Sequence, residues 1–138
     1  MMMTFDAGVK VTIDICKNGV YVLGSDSSSG KTYLANICKS LSTIYDSVFS
    51  VVSYISGVDE SIYKQLINRK CRICIVDRYD MFASDELSEE LRLLGEDHIV
   101  LVGCKDICIA RSLKAKRAGI ALTKDEVKVY EISTCFRR

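Results

Sequence analysis

The sequence predicts an α/β fold: a mainly parallel sheet with helices on both faces and β-hairpins at both ends. Three observations carry this expectation. Short apolar runs alternate with segments of helical periodicity through the middle of the chain, the pattern of a sheet built by crossover connections. Ile99 to Val102 is a continuous apolar run, as expected of a strand covered on both faces. Turn chemistry flanked by strand-like residues stands near each end.

Taken in order, Val9, Val11, Ile13 and Ile15 alternate with mostly polar residues, Lys17-Asn18-Gly19 supplies a turn, and Val20 to Leu23 resumes an apolar run. These predict a hairpin. Tyr33, Leu34, Ile37 and Leu41 then recur at helical spacing. Val48 to Ile55 is β-branched and aromatic and reads as a strand, and Asp59 caps a short helix with Ile62, Leu66 and Ile67 on its inner side. Arg72 to Asp77 is the next strand. Ser84, followed by Asp85 and Glu86, starts a helix whose buried stripe is Leu87, Leu91 and Leu94 and which Gly95 ends. A basic helix is expected from about Asp106 to Arg117. Gly119 to Leu122 restarts strand, and Val127 to Ile132 returns antiparallel after the Thr123 to Glu126 turn.

At 138 residues the chain has the size of one domain, so residues 1–138 are expected to form a single unit. Hydrophobic residues at 49% and charged residues at 27% fit a globular protein, and no apolar run reaches the ~20 residues that span a bilayer. Met1 to Lys10 lacks the basic-then-apolar order of a secretion signal, so a cytoplasmic location is expected. The seven cysteines are odd in number and lie among apolar residues, which suits a reducing compartment. Cys71 and Cys74 form a CxxC across a strand that sends the two thiols to opposite faces, and His98 is the sole histidine. Both readings favour buried structural roles over zinc. A net charge of +1 predicts no long-range pull toward nucleic acid or membrane. Eight acidic against two basic residues from Asp77 to Asp97, and nine basic against four acidic from Lys105 to Arg138, read mainly as solvated faces.

The run Gly24-Ser25-Asp26-Ser27-Ser28-Ser29-Gly30-Lys31-Thr32 lies between an expected strand and an expected helix. Small residues there let successive backbone amides turn around phosphate oxygens, and the helix that follows presents the positive end of its dipole. Downstream, Ile73-Cys74-Ile75-Val76-Asp77 is an apolar strand ending in a carboxylate. Ser25 to Thr32 resembles the Walker A pattern GxxxxGK[ST] of the P-loop NTPase superfamily, with Ser25 in place of the first glycine and Gly24 one place early. Ile73 to Asp77 looks like Walker B. The resemblance implies a three-layer P-loop NTPase-like sandwich and a site that binds ATP and Mg²⁺. In it Ser27, Ser28, Ser29, Gly30, Lys31 and Thr32 hold the phosphates, Thr32 and Asp77 hold the metal, and Lys31 and Asp77 act in catalysis.

A strand-helix unit between the loop helix and Asp77 is similar to the additional-strand ATPases, the group holding AAA+, ABC and RecA-like proteins. Those enzymes place a Glu after the Walker B Asp to polarise water. Here Arg78, Tyr79 and Asp80 follow. Asp80 and Asp106 are weighed as substitute bases and read instead as capping or surface carboxylates, and Arg78 reads as an exposed cation. Guanine recognition is not supported, because Lys105 and Asp106 are adjacent where the base-reading motif separates them. Two functions stay open. One is a small ATP-binding protein, a weak ATPase acting as a switch with itself or a protein partner. The alternative is a catalytically degenerate interaction or regulatory module of the same fold.

Overall fold

A computed structural model describes residues 2–6, 8–23, 28–45, 48–52, 72–79, 84–104 and 113–132. The strands are β1 (Met2–Asp6), β2 (Lys10–Asp14), β3 (Gly19–Leu23), β4 (Phe49–Val52), β5 (Ile73–Val76), β6 (Ile99–Val102), β7 (Lys116–Leu122) and β8 (Glu126–Ile132). The helices among the described residues are α1 (Ser28–Ile44) and α2 (Asp85–Leu94). All eight strands lie in one sheet of order β1-β2-β8-β7-β3-β6-β5-β4.

Hydrophobic pattern explains who sits where. β5 and β6 are buried at every position, and β3 at every position but the first. Such runs have no polar face to show to water and belong in the interior of a sheet. They form the parallel block β7-β3-β6-β5-β4, in which every pairing is parallel. α1 packs on one face through Leu34, Ala35, Cys38 and Leu41, and α2 on the other through Leu87, Leu91 and Leu94.

The outer strands behave differently. Val11 and Ile13 of β2 and Val127 and Val129 of β8 are buried on the α1 side, while Lys10, Asp14, Lys128 and Tyr130 meet solvent to varying degrees on the other. β2 pairs antiparallel with β1 and parallel with β8, and β8 pairs antiparallel with β7. The sheet curls toward α1. Phe5 of edge strand β1 stacks edge-on against Phe49 of the opposite edge strand β4, with ring centroids 4.8 Å apart, and against Tyr45 at 5.5 Å. Right-handed strand twist accumulated over eight strands favours such curling, and the shared aromatic cluster holds it.

The expected architecture is therefore corrected. The molecule is a mixed, curled, strand-dominated sheet, not a mainly parallel three-layer P-loop NTPase-like sandwich with helices covering both faces. On the outer face of β2 and β8, Lys10 and Tyr130 are exposed, whereas Thr12 between them is buried. The first hairpin is also corrected. β2 and β3 do not pair, because β8 and β7 stand between them, and the hairpin at that end is formed by β1 and β2. A strand buried on both faces, as β3 is, cannot serve as the outer arm of an exposed hairpin, so it is drawn into the parallel block. Lys116 and Arg117, expected at the end of a basic helix, instead open β7, where Lys116 pairs with Tyr21. The antiparallel return at Thr123 joins β7 to β8. The helix expected from Asp59 and residues 106–112 of the basic helix lie outside the described residues.

Gly95 stops α2 as expected, but in right-handed backbone at φ −66°. Its small size is needed for packing: a Cβ there would come within 2.8 Å of the Val20 Cγ2 of β3.

Candidate functional site at the carboxyl edge of the parallel strands

β3, β6 and β5 are neighbours in that order, in parallel. Register aligns Val22 with Val102 and Val102 with Val76, so Leu23, Gly103 and Asp77 follow in the next row at the carboxyl edge. Strands about 4.8 Å apart put the backbone of Asp77 about 10 Å from that of Leu23. Two backbone bonds fix the edge between them. The Gly103 N–H donates to the Val76 carbonyl at 2.8 Å, and the Tyr79 N–H donates to the Gly103 carbonyl at 2.8 Å. Asp77 is buried, at 8% exposure, and the Tyr79 ring is wholly enclosed on the α2 side.

The connections leaving this edge diverge. From β3 the chain passes through α1 to β4 at one side, and from β6 it passes to β7 at the other. β3 and β6 are adjacent, so their carboxyl ends mark a topological switch point, the place where open sheets receive ligands.

Each expected site residue can be located against this frame. Ser25 and Ser27 lie outside the described residues. Ser28, Ser29, Gly30, Lys31 and Thr32 form the opening of α1, so the helix begins earlier than a loop running to Thr32 implies. The first four N–H groups of an α-helix have no partner within the helix. No acidic residue stands in the first turn of α1. Asp77 directly follows β5 at the same edge, two strands away. Asp80 and Asp106 lie outside the described residues.

The pinned turn was not foreseen from sequence. Arg78 is exposed and adopts φ 57° between two buried neighbours, Asp77 and Tyr79. The legible signal was chemical only: an arginine where the resembled enzymes place a glutamate.

Other features of the molecule lie elsewhere. A cavity of about 270 Å³ is lined by Gly19, Val20, Arg92, Gly95 and Lys114 among others, at the amino end of β3. It is thus at the opposite end of that strand from the switch point. Burial pushes the Cys38 thiol up to about 12, which makes it an inert part of the core beneath α1. The Tyr21 hydroxyl is raised first by burial and then by Glu131 and Cys16, and it donates to the Lys17 carbonyl at 2.8 Å. Cys74 is buried in β5, whereas Cys71 falls outside the described residues. His98 is half-buried just before β6. Its carbonyl accepts the Gly19 N–H at 3.0 Å, and its Nδ1 is buried with no hydrogen-bond partner among the described residues. Among the described residues no three His, Cys, Asp or Glu side chains gather as a metal-binding group. No helix among them is long and apolar enough to cross a membrane.

No protein-family model matches the chain, and no curated protein matches it.

Proposed function

We propose that this protein binds Mg²⁺-ATP in the segment joining β3 to α1 and works as a nucleotide-dependent switch, with itself or a protein partner. One observation carries the reading. The Ser-Gly-Lys-Thr opening of α1 follows the carboxyl end of β3 where the outgoing connections diverge, and the buried Asp77 directly follows β5 at the same edge.

The donor set suits the ligand. Backbone amides from Ser27 to Lys31 would take phosphate oxygens, and the absence of carboxylates in the first turn of α1 favours an anion there. Lys31 would place its ammonium on the terminal phosphates. The Thr32 hydroxyl and the Asp77 carboxylate are hard oxygen ligands of the kind Mg²⁺ takes, directly or through water. The metal, when bound, neutralises charge on the phosphates. A cytoplasmic setting accompanies this role, since seven cysteines, odd in number and lying among apolar residues, suit a reducing compartment. Nothing in the charge balance calls for nucleic acid.

Hydrolysis on this reading is weak, because Arg78 occupies the position where the resembled enzymes carry a water-polarising Glu. That same residue favours the second reading, a regulatory module that keeps the fold and hydrolyses nothing. Phosphate release from ATP separates the two. The switch reading expects slow release by wild type that falls at least tenfold in Asp77→Asn; equal rates in the two proteins would leave only the non-hydrolysing module.

A further inference from the structure

The cavity of about 270 Å³ at the amino end of β3 lies on the α2 side of the sheet and shares no residue with the carboxyl edge. Its floor is apolar. Val20 of β3 and Leu113, just before β7, belong to the α2-side core, and Gly95 at the end of α2 closes against β3 so nearly that a Cβ there would meet Val20. An apolar cavity of roughly 150 Å³ is enough to hold a benzene ring, so this one has room for a ring and a short polar tail.

Four charged residues border that floor, and two of them are engaged elsewhere. The Arg92 guanidinium pairs with Glu89, one turn back along α2. Lys116 lies in register with Tyr21, and its ammonium is 5.7 Å from the centroid of the Tyr21 ring, in the α1-side core. The other two are Glu96, in the turn that leaves α2, and Lys114, between the buried Leu113 and the start of β7. Both are exposed, they come from different walls, and among the described residues neither has an ion-pair partner. Helix capping does not account for the lysine. The last carbonyls of α2, at Leu91, Leu93 and Leu94, already accept the N–H groups of Gly95, Glu96, Asp97 and His98. An apolar floor with one free charge of each sign at its rim is complementary to a small zwitterion that carries an apolar group, since a few polar groups around an apolar pocket fix a ligand's orientation.

We propose that this cavity binds a free α-amino acid with a large apolar side chain, seated with that side chain on Val20 and Leu113, its carboxylate toward Lys114 and its ammonium toward Glu96. The assignment does not rest on the nucleotide reading and stands or falls apart from it.

The test follows the amide resonances of Gly19 and Gly95 by NMR while L-phenylalanine, hydrocinnamate and phenethylamine are each titrated into the full chain. Hydrocinnamate lacks the ammonium and phenethylamine lacks the carboxylate. Phenylalanine should shift both glycines saturably, and each analogue should bind wild type at least threefold more weakly, a loss within the range of one exposed ion pair. Lys114→Gly should weaken phenylalanine and hydrocinnamate alike and leave phenethylamine unchanged. Glu96→Gln should weaken phenylalanine and phenethylamine and leave hydrocinnamate unchanged. Absence of a saturable shift at tens of millimolar ligand, shifts that spare both glycines, or analogues that bind wild type as tightly as phenylalanine overturn the proposal.

Discussion

Helix α2 begins with a side-chain cap of its own: the Ser84 hydroxyl accepts the Leu87 N–H at 3.0 Å, and Asp85 and Glu86 occupy the first turn. Helix α1, on the opposite face of the sheet, begins with Ser28, Ser29, Gly30 and Lys31 and has no carboxylate in its first turn. Both helices are held by similar apolar stripes, Leu34, Cys38 and Leu41 in one and Leu87, Leu91 and Leu94 in the other. The difference lies only at their starts. A helix start closed by its own side chains serves structure; one with no carboxylate in its first turn is better suited to an anion.

The anchoring half of this comparison is tested by the largest effects. Leu41→Ala and Leu91→Ala, both removing fully buried side chains, should each cost about 2–5 kcal/mol in urea unfolding. A loss far below that in one of them would show that its helix is not bound to the sheet as described. Next in size is Gly95→Ala, where the new methyl meets Val20; about 1–3 kcal/mol of destabilisation is expected, and a neutral result would mean that the end of α2 stands off β3.

The starts of the helices carry the smaller and more pointed predictions. Ser84→Ala should cost about 1 kcal/mol by orphaning the Leu87 N–H. Ser28→Asp does the reverse at α1, giving it the carboxylate that α2 already has. Without nucleotide it should raise stability by about 0.3–1 kcal/mol, and it should weaken Mg²⁺-ATP binding because a fixed negative charge now competes for the same dipole. A variant that gains stability and binds ATP unchanged would break the contrast between the two helices.

The smallest effect near neutral pH comes from Cys38 beneath α1. Its thiol ionises at about 12 in the folded protein against 9.0 as its ordinary value, because burial opposes the thiolate. The folded state therefore holds this proton more tightly than the unfolded one. The stabilisation is fully present below pH 9 and is lost as pH rises toward 12. Unfolding measured from pH 7 to 11 should show a decline beginning near 9 that is reduced in Cys38→Ala.

Much of the parallel block was legible in the sequence because a strand buried on both faces must be apolar throughout. Val20 to Leu23, Ile73 to Val76 and Ile99 to Val102 announce themselves that way. Helix α2 was legible because its cap, acidic first turn and leucine stripe agree. Pairing partners were not legible. Alternation in β2 says which residues face the core, but it does not say that Lys10 to Asp14 will lie beside Glu126 to Tyr130, more than a hundred residues away. The hairpin with β3 was the nearer choice in sequence and the wrong one in space. Met2 to Asp6 escaped notice as a strand, since only Met3 and Phe5 turn to the core. Lys116 and Arg117 read as helical through their charge, whereas exposed ends of strands accept cations equally well. At the site, residue chemistry was legible and backbone geometry was not: the left-handed turn at Arg78 depends on how Tyr79 and Gly103 meet across two strands.

The most direct test of the central claim is a thermal melt with and without Mg²⁺-ATP, and separately with Mg²⁺-GTP, on wild type and Lys31→Ala. A ligand held at a hundredfold excess over its Kd stabilises the folded state by about 2.7 kcal/mol, a rise of several degrees. An ATP-selective rise in wild type that vanishes in Lys31→Ala is the predicted result; identical melts with and without either nucleotide would contradict it.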